Sequence, residues 1–177
     1  MEESHAALLQ RIEAAFANVP RPTKVTKRVA REFDDEPIVT EQRRASLYAK
    51  DTEQHGKDLS GEDLATYQDV CLWLDEEASL FYFPAFMFHN LIDEQPFGWC
   101  SADNIAWIYC TRPEQLRLFN DEQLRCVTDF VALRTAHENG ASLVCPVCGG
   151  PLISEKCKVV CRSERCRYRI VFNCAEF

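Results

Sequence analysis

Glycine is scarce in this chain, six in 177 residues, and there are only eight prolines. That scarcity excludes a collagen-like repeat or a flexible linker-type polypeptide, and no repeat at a solenoid period is present. Long apolar runs are missing too. The longest, Leu80 to Leu91, covers about twelve residues with Pro84 and His89 inside it, short of the ~20 that a bilayer span requires. The opening residues Met1-Glu2-Glu3-Ser4-His5 are acidic, where a signal peptide would be basic. The expectation is a cytoplasmic protein with no membrane partner. Recognisable catalytic motifs are also absent: no Gly-rich phosphate loop, no nucleophile elbow, no HExxH. His5, His55, His89 and His137 stand far apart in sequence. His89 follows the aromatic run and reads as a hydrogen-bonded core or edge residue rather than a base. The carboxylates of Asp34/Asp35, Asp75/Glu76/Glu77 and Asp93/Glu94 most simply cap helix ends or solvate loops. These absences point to a protein that acts by binding, not an enzyme.

The remaining composition is that of a globular chain, 46% hydrophobic and 27% charged, with room for one full domain and a small appendage. Charge is unevenly spread. Residues 1–144 hold 14 Lys and Arg against 25 Asp and Glu, a net of −11, whereas residues 145–177 hold 6 against 3, a net of +3. The sign changes where the cysteine density jumps, beside the helix-stopping pair Asn139-Gly140. Two domains follow: an acidic helical domain over 1–140 and a small β tail over 141–177. The expected fold class is mainly α with a C-terminal β zinc ribbon.

In the long domain, Leu8, Leu9, Ile12, Ala15 and Phe16 recur at helical spacing over residues 3–17, and Pro20 and Pro22 end that helix. The β-branched Thr23, Val25, Thr26 and Val29 predict a short extended piece from Thr23 to Ala30. An acidic turn at 34–37, a helix over 40–49 and a polar surface loop from Lys50 to Leu59 follow. Ser60…Asp63 fits a capping box and opens a helix bearing Leu64, Tyr67, Val70, Cys71 and Leu74. Leu80 to Ile92 is apolar on nearly every side, with Pro84 expected in a first helical turn. Such a helix is buried all round or covered by a partner. A second capping box, Asn120…Gln123, starts a helix running to about Ala136. The sum is four or five helices around a Phe-rich core.

Ten cysteines are present. Cys71, Cys100, Cys110 and Cys126 are scattered among apolar neighbours and read as inert core thiols. The other six crowd into 145–174. Cys145-Pro-Val-Cys148-Gly-Gly has the two-residue spacing that lets both thiolates face one ion, and Cys161 and Cys166 supply the second pair. Strand-like Pro151–Ser154, Lys158–Val160 and Tyr168–Phe172 surround them. Thirty residues cannot bury a self-sufficient core, so one structural Zn2+ would hold this tail together. Cys157 and Cys174 are extra: either could replace a ligand, or the two could be apolar fillers or a reversible disulfide beside the ion. Lys156, Lys158, Arg162, Arg165, Arg167 and Arg169 have two readings, a solvated face or contacts to nucleic acid assisted by Tyr168 and Phe172. The −11 domain would repel the same polyanion, which weighs against the second.

The run Cys145-Pro-Val-Cys148-Gly-Gly-Pro-Leu152, followed by Cys161…Cys166-Arg-Tyr168, resembles the C-terminal zinc-ribbon modules of bacterial DNA topoisomerases over about thirty residues. That resemblance implies a metal site and is less specific for DNA. Three further segments are Ile12–Pro20, Leu80–Phe88 and Leu118–Phe130. Together they resemble an uncharacterised bacterial helical family whose members look like accessory or immunity-type proteins. The implication is a protein partner, with a nucleic-acid role for the tail as the alternative.

Overall fold

The computed structural model describes residues 5–36, 38–92 and 100–140 and three short strands between 152 and 171, with side chains described as far as residue 135. The chain forms two compact units, Met1–Arg134 and Thr135–Phe177. It is mainly α. The helices are α1 (His5–Ala15), α2 (Lys27–Asp35), α3 (Glu41–Tyr48), α4 (Gly61–Thr66), α5 (Glu76–Ile92), α6 (Cys100–Thr111) and α7 (Asp121–Gly140). Single 3-10 turns lie at Gly56–Asp58, Val70–Trp73 and Pro113–Leu116.

Caps fix where several helices begin. Thr40 Oγ1 accepts from Arg43 N at 3.2 Å ahead of α3, and Ser60 Oγ accepts from Asp63 N at 3.0 Å ahead of α4. At α7 the expected reciprocal box forms in full. Asn120 Oδ1 takes the Gln123 amide at 2.9 Å, and Gln123 Oε1 takes the Asn120 amide at 2.9 Å. Each such cap stabilises a helix by about 1 kcal/mol.

Helix α5 forms the centre of the core. Phe81, Tyr82, Phe83, Phe86 and Met87 are all buried to within 2% of full burial. Phe119 packs edge-on against Phe83 at 6.0 Å and against Phe16 at 5.9 Å, which ties α1 and the approach to α7 onto α5. The core is Phe-rich, as expected.

Several expectations fail. The helix opened by Ser60 does not carry on to Leu74, because α4 ends at Thr66 and Val70–Trp73 is a separate 3-10 turn. Thr23–Ala30 is not an extended piece, because α2 starts at Lys27 and Val29 and Ala30 are its buried face. The tertiary contacts of that face override the β-branched preference. Pro84 lies in the interior of α5 rather than its first turn, because the helix starts eight residues earlier, where Asp75 Oδ1 accepts from Ala78 N at 2.9 Å. Four or five helices become seven, α2 and α6 being the additions. Finally, Cys71 and Cys126 are buried as expected, but Cys100 and Cys110 are exposed. They sit on α6, a helix that the pattern of apolar residues did not reveal.

In the second unit, β1 (Leu152–Glu155), β2 (Lys158–Cys161) and β3 (Arg169–Val171) form an antiparallel sheet in the order β1-β2-β3. Leu152 pairs with Cys161 and Glu155 with Lys158, while Lys158 pairs with Val171 and Val160 with Arg169.

Candidate functional site

The segment Lys50–Leu59, expected as a plain surface loop, separates two concavities in the helical unit. Its first residues are not loop-like at all. Asp51 and Glu53 are buried, 2% and 8% exposed, together with Lys27 at 5%. Lys27 Nζ lies 3.0 Å from Asp51 Oδ1 and 3.0 Å from Glu53 Oε2. Arg28 adds its backbone N–H at 3.1 Å and its Nε at 2.9 Å to the Asp51 carboxylate, and Tyr82 OH donates to Glu53. Two carboxylates are thus matched by two cations. Burial pulls the Lys27 pKa down, and the hydrogen bonds and charges of Asp51 and Glu53 together outweigh it, so the ammonium is held above its ordinary range. Burial, then the Glu53 contact, pushes the Tyr82 phenol far up. Both shifts move Lys27 and Tyr82 away from the neutral range that proton transfer needs. The cluster is a clamp that joins α2, the 51–53 segment and α5. It floors a polar pocket of about 340 Å³ that also includes Lys50, Gln54 and Asp58.

On the other side of the 3-10 turn Gly56–Asp58 lies an apolar cleft of about 550 Å³. Ile12 of α1, Phe16 just beyond it, Leu64 of α4, and Phe81, Phe88 and Ile92 of α5 supply its apolar walls. His55, Lys57, His89 and Glu13 are its ionisable residues. Gly56 is there by necessity, since a Cβ at that position would stand 2.4 Å from the Phe81 carbonyl oxygen. The turn therefore lies directly on the α5 backbone.

A third feature is an aromatic surface. Trp73 and Trp107 are 43% and 50% exposed. The turn that carries Trp73 is gripped by side chains from α6 and beyond. Asn104 Nδ2 donates to Asp69 O at 3.4 Å, Gln115 Nε2 to Cys71 O at 2.9 Å and Arg112 Nη1 to Leu72 O at 2.8 Å. The Arg112 guanidinium also lies 5.7 Å from the Trp107 ring centre. These donors satisfy carbonyls that so short a helical turn cannot bond internally.

The residues singled out from sequence are distributed as follows. Cys161 ends β2 and pairs with Leu152. Lys158 and Arg169 lie in β2 and β3, and the pairing Lys158–Val171 and Val160–Arg169 puts both on one face of the sheet. Cys145, Cys148, Cys157, Cys166, Cys174, Lys156, Arg162, Arg165 and Arg167 lie outside the described residues. Among the described residues no group of three or more His, Cys, Asp or Glu could hold a metal ion, and none of their helices is long and apolar enough to cross a membrane. His55 and His89 both line the cleft. The Lys27–Asp51–Glu53 cluster was missed by sequence reasoning because its members lie 24 and 26 residues apart in stretches that look polar and solvated. Burial pushes the Cys71 thiol far up, which makes it inert.

No curated protein matches this chain, and no solved structure does. A family model covering residues 4–144, described as a family of unknown function, does match. The matched span takes in α1 to α7, and the chain belongs to that family, DUF6714.

Proposed function

We propose that this protein acts by binding rather than turnover, taking a basic protein partner on its acidic helical unit as an immunity- or antitoxin-type factor does in the cytoplasm. The observation that carries this reading is how the unit uses its cations. Arg11, Arg28, Arg31, Arg43, Arg117, Arg125 and Arg134 are each engaged by a carboxylate within 3.2 Å, as is Lys27. With 25 acids against 14 bases over residues 1–144, the surplus facing solvent is negative, and Glu13, Asp34, Asp35, Glu36, Glu62 and Asp121 are all exposed. Such a field accelerates association with a basic surface. Three of these acids sit at or just past the C-terminus of α2, the negative end of its dipole, where carboxylates cost stability. Rigidly held Trp73 and Trp107 beside Arg112 are the residue types that anchor protein interfaces.

The test separates stability from binding. Replacing Asp34, Asp35 and Glu36 together by Lys is expected to stabilise the protein by about 0.5–2 kcal/mol in urea unfolding, through the helix dipole. The same variant should bind a purified basic nuclease at least about tenfold more weakly at low salt. A wild-type affinity that ignores salt, or an unchanged affinity in the variant, defeats the reading.

The tail is proposed to carry one structural Zn2+ on Cys145, Cys148, Cys161 and Cys166. Its sheet brings the start of β1, the end of β2 and the start of β3 to one end. Cys148 is tied to the first of these termini at four residues, Cys161 is the second, and Cys166 is tied to the third at three residues. In sequence, Cys157 directly precedes β2 and Cys174 follows β3 by three residues, next to the other strand ends, which supports the first set as ligands. Elemental analysis is expected to find one zinc per chain, lost in Cys161→Ser and kept in Cys174→Ser. A metal-free wild type would reject the site.

A second reading, nucleic-acid binding by the tail, is favoured by the shared face of Lys158 and Arg169. It requires that Arg165→Glu with Arg167→Glu abolish binding of a single-stranded oligonucleotide by the full-length protein, and unchanged affinity would dismiss it.

A further inference from the structure

Helix α5 is apolar around almost its whole circumference, yet only two of its large apolar residues are exposed, Phe88 at 37% and Ile92 at 56%. Both line the cleft between α1, α4 and α5. The uncovered apolar surface of the helix is therefore gathered in one concavity instead of being spread over the outside. At about 550 Å³ that concavity has the size of a small-molecule site. Its floor, Ile12 at 1%, Phe81 at 1% and Leu64 at 7% exposed, belongs to the core, so the shape is pre-formed.

The polar groups of the cleft are not distributed at random. His55 and Lys57 come from the turn that lies on α5, and His89 comes from α5 itself, while Glu13 is the one acidic residue and comes from α1. Lys57 is exposed, and Oδ2 of the neighbouring Asp58 accepts the backbone N–H groups of Gln54 and His55 at 3.1 and 2.8 Å. The turn thus presents a cation and an imidazole over an apolar floor within a unit that is otherwise strongly acidic. A dicarboxylate would meet Glu13 as well as the general negative field. A single carboxylate with a hydrocarbon tail fits both halves of the site.

We propose that this cleft binds a free monocarboxylic acid with an aliphatic or aryl tail, the tail lying along Phe81, Phe88 and Ile92 and the carboxylate held by Lys57 and the neighbouring imidazoles. None of the residues that line the cleft belongs to the end of α2 or to the tail, so this site stands or falls separately from both.

Isothermal titration of the full-length protein with dodecanoate, dodecanol and dodecyltrimethylammonium, each below its micellar concentration, tests the assignment. Dodecanoate is expected to saturate at one per chain, with the cationic tail at least about tenfold weaker. Lys57→Glu should weaken dodecanoate by about tenfold or more and leave dodecanol unchanged, and Phe88→Asp should abolish binding of both. Both residues are exposed, and unchanged circular dichroism and unfolding midpoints would show that the variants retain the fold. Absence of dodecanoate binding, equal affinity for all three tails, or an unaltered affinity in Lys57→Glu would overturn the proposal. Competition by an apolar peptide without a carboxylate, at equal affinity, would instead make the cleft a peptide groove and overturn it too.

Discussion

Replacing Lys27 by Met is expected to destabilise the protein by about 3–5 kcal/mol, because it leaves two buried carboxylates facing each other without their shared ammonium. Asp51 and Glu53 are only 2% and 8% exposed, and Lys27 Nζ stands 3.0 Å from each. Arg28 remains on Asp51 and Tyr82 on Glu53, so the loss is of charge balance more than of hydrogen bonds. Urea unfolding at neutral pH measures it, and a loss under 1 kcal/mol would mean that water enters the cluster freely. The pH dependence has a definite sign. The folded-state pKa of Lys27 is raised above 10.5, so the folded chain holds that proton more tightly than the unfolded chain does. The resulting stabilisation is complete below the unfolded value and is lost as pH rises through the raised folded value. Wild type should therefore lose stability in strong alkali through this group, and Lys27→Met should lack that component.

Gly56→Ala is the second large effect, about 1–3 kcal/mol of destabilisation. The obstacle is backbone, the Phe81 carbonyl oxygen at 2.4 Å from the added Cβ, and no side-chain rotation relieves it. The turn must lift off α5, which also opens the cleft and should weaken any ligand held there. Gly61→Ala is the matched control. A Cβ there meets nothing within 4 Å, and the substitution should stabilise by about 0.4–1 kcal/mol through the unfolded chain. Two Gly→Ala changes five residues apart, opposite in sign, isolate the close approach from glycine's general flexibility. Equal effects would show that the turn does not bear on α5.

What the sequence revealed follows the range over which each interaction acts. Local signals were read correctly: the capping pair Asn120 and Gln123 forms in both directions, and the apolar spacing of Leu8, Ile12 and Phe16 marks a helix whose face is buried. Signals that depend on distant partners were not. Val29 in α2 looks like a strand residue until the core it packs against is known. Helix α6 carries apolar residues on several sides, Trp107 outward and Ile105 and Ile108 inward, so no clean stripe announces it. Asp51 and Glu53 look solvated because the counter-charge that allows their burial comes from another element. The cleft was illegible for the same reason, its walls being drawn from three helices and a turn. The apolar circumference of α5 did leave a choice between core and partner, and the structure divides it: most of the helix is core, and Phe88 and Ile92 remain outside.

Helix α1 is secured by side chains of α7. Arg11 reaches Glu122 at 3.2 Å and Asp129 at 2.7 Å, and Gln123 Nε2 donates to the Ala15 carbonyl at 2.9 Å, across 108 to 118 positions of chain. A polypeptide emerging from the ribosome must therefore carry the apolar face of α1 uncovered until α7 has followed it. Closure of the bundle waits for α7, and nascent chains halted before residue 120 should be ready substrates for chaperones and proteases.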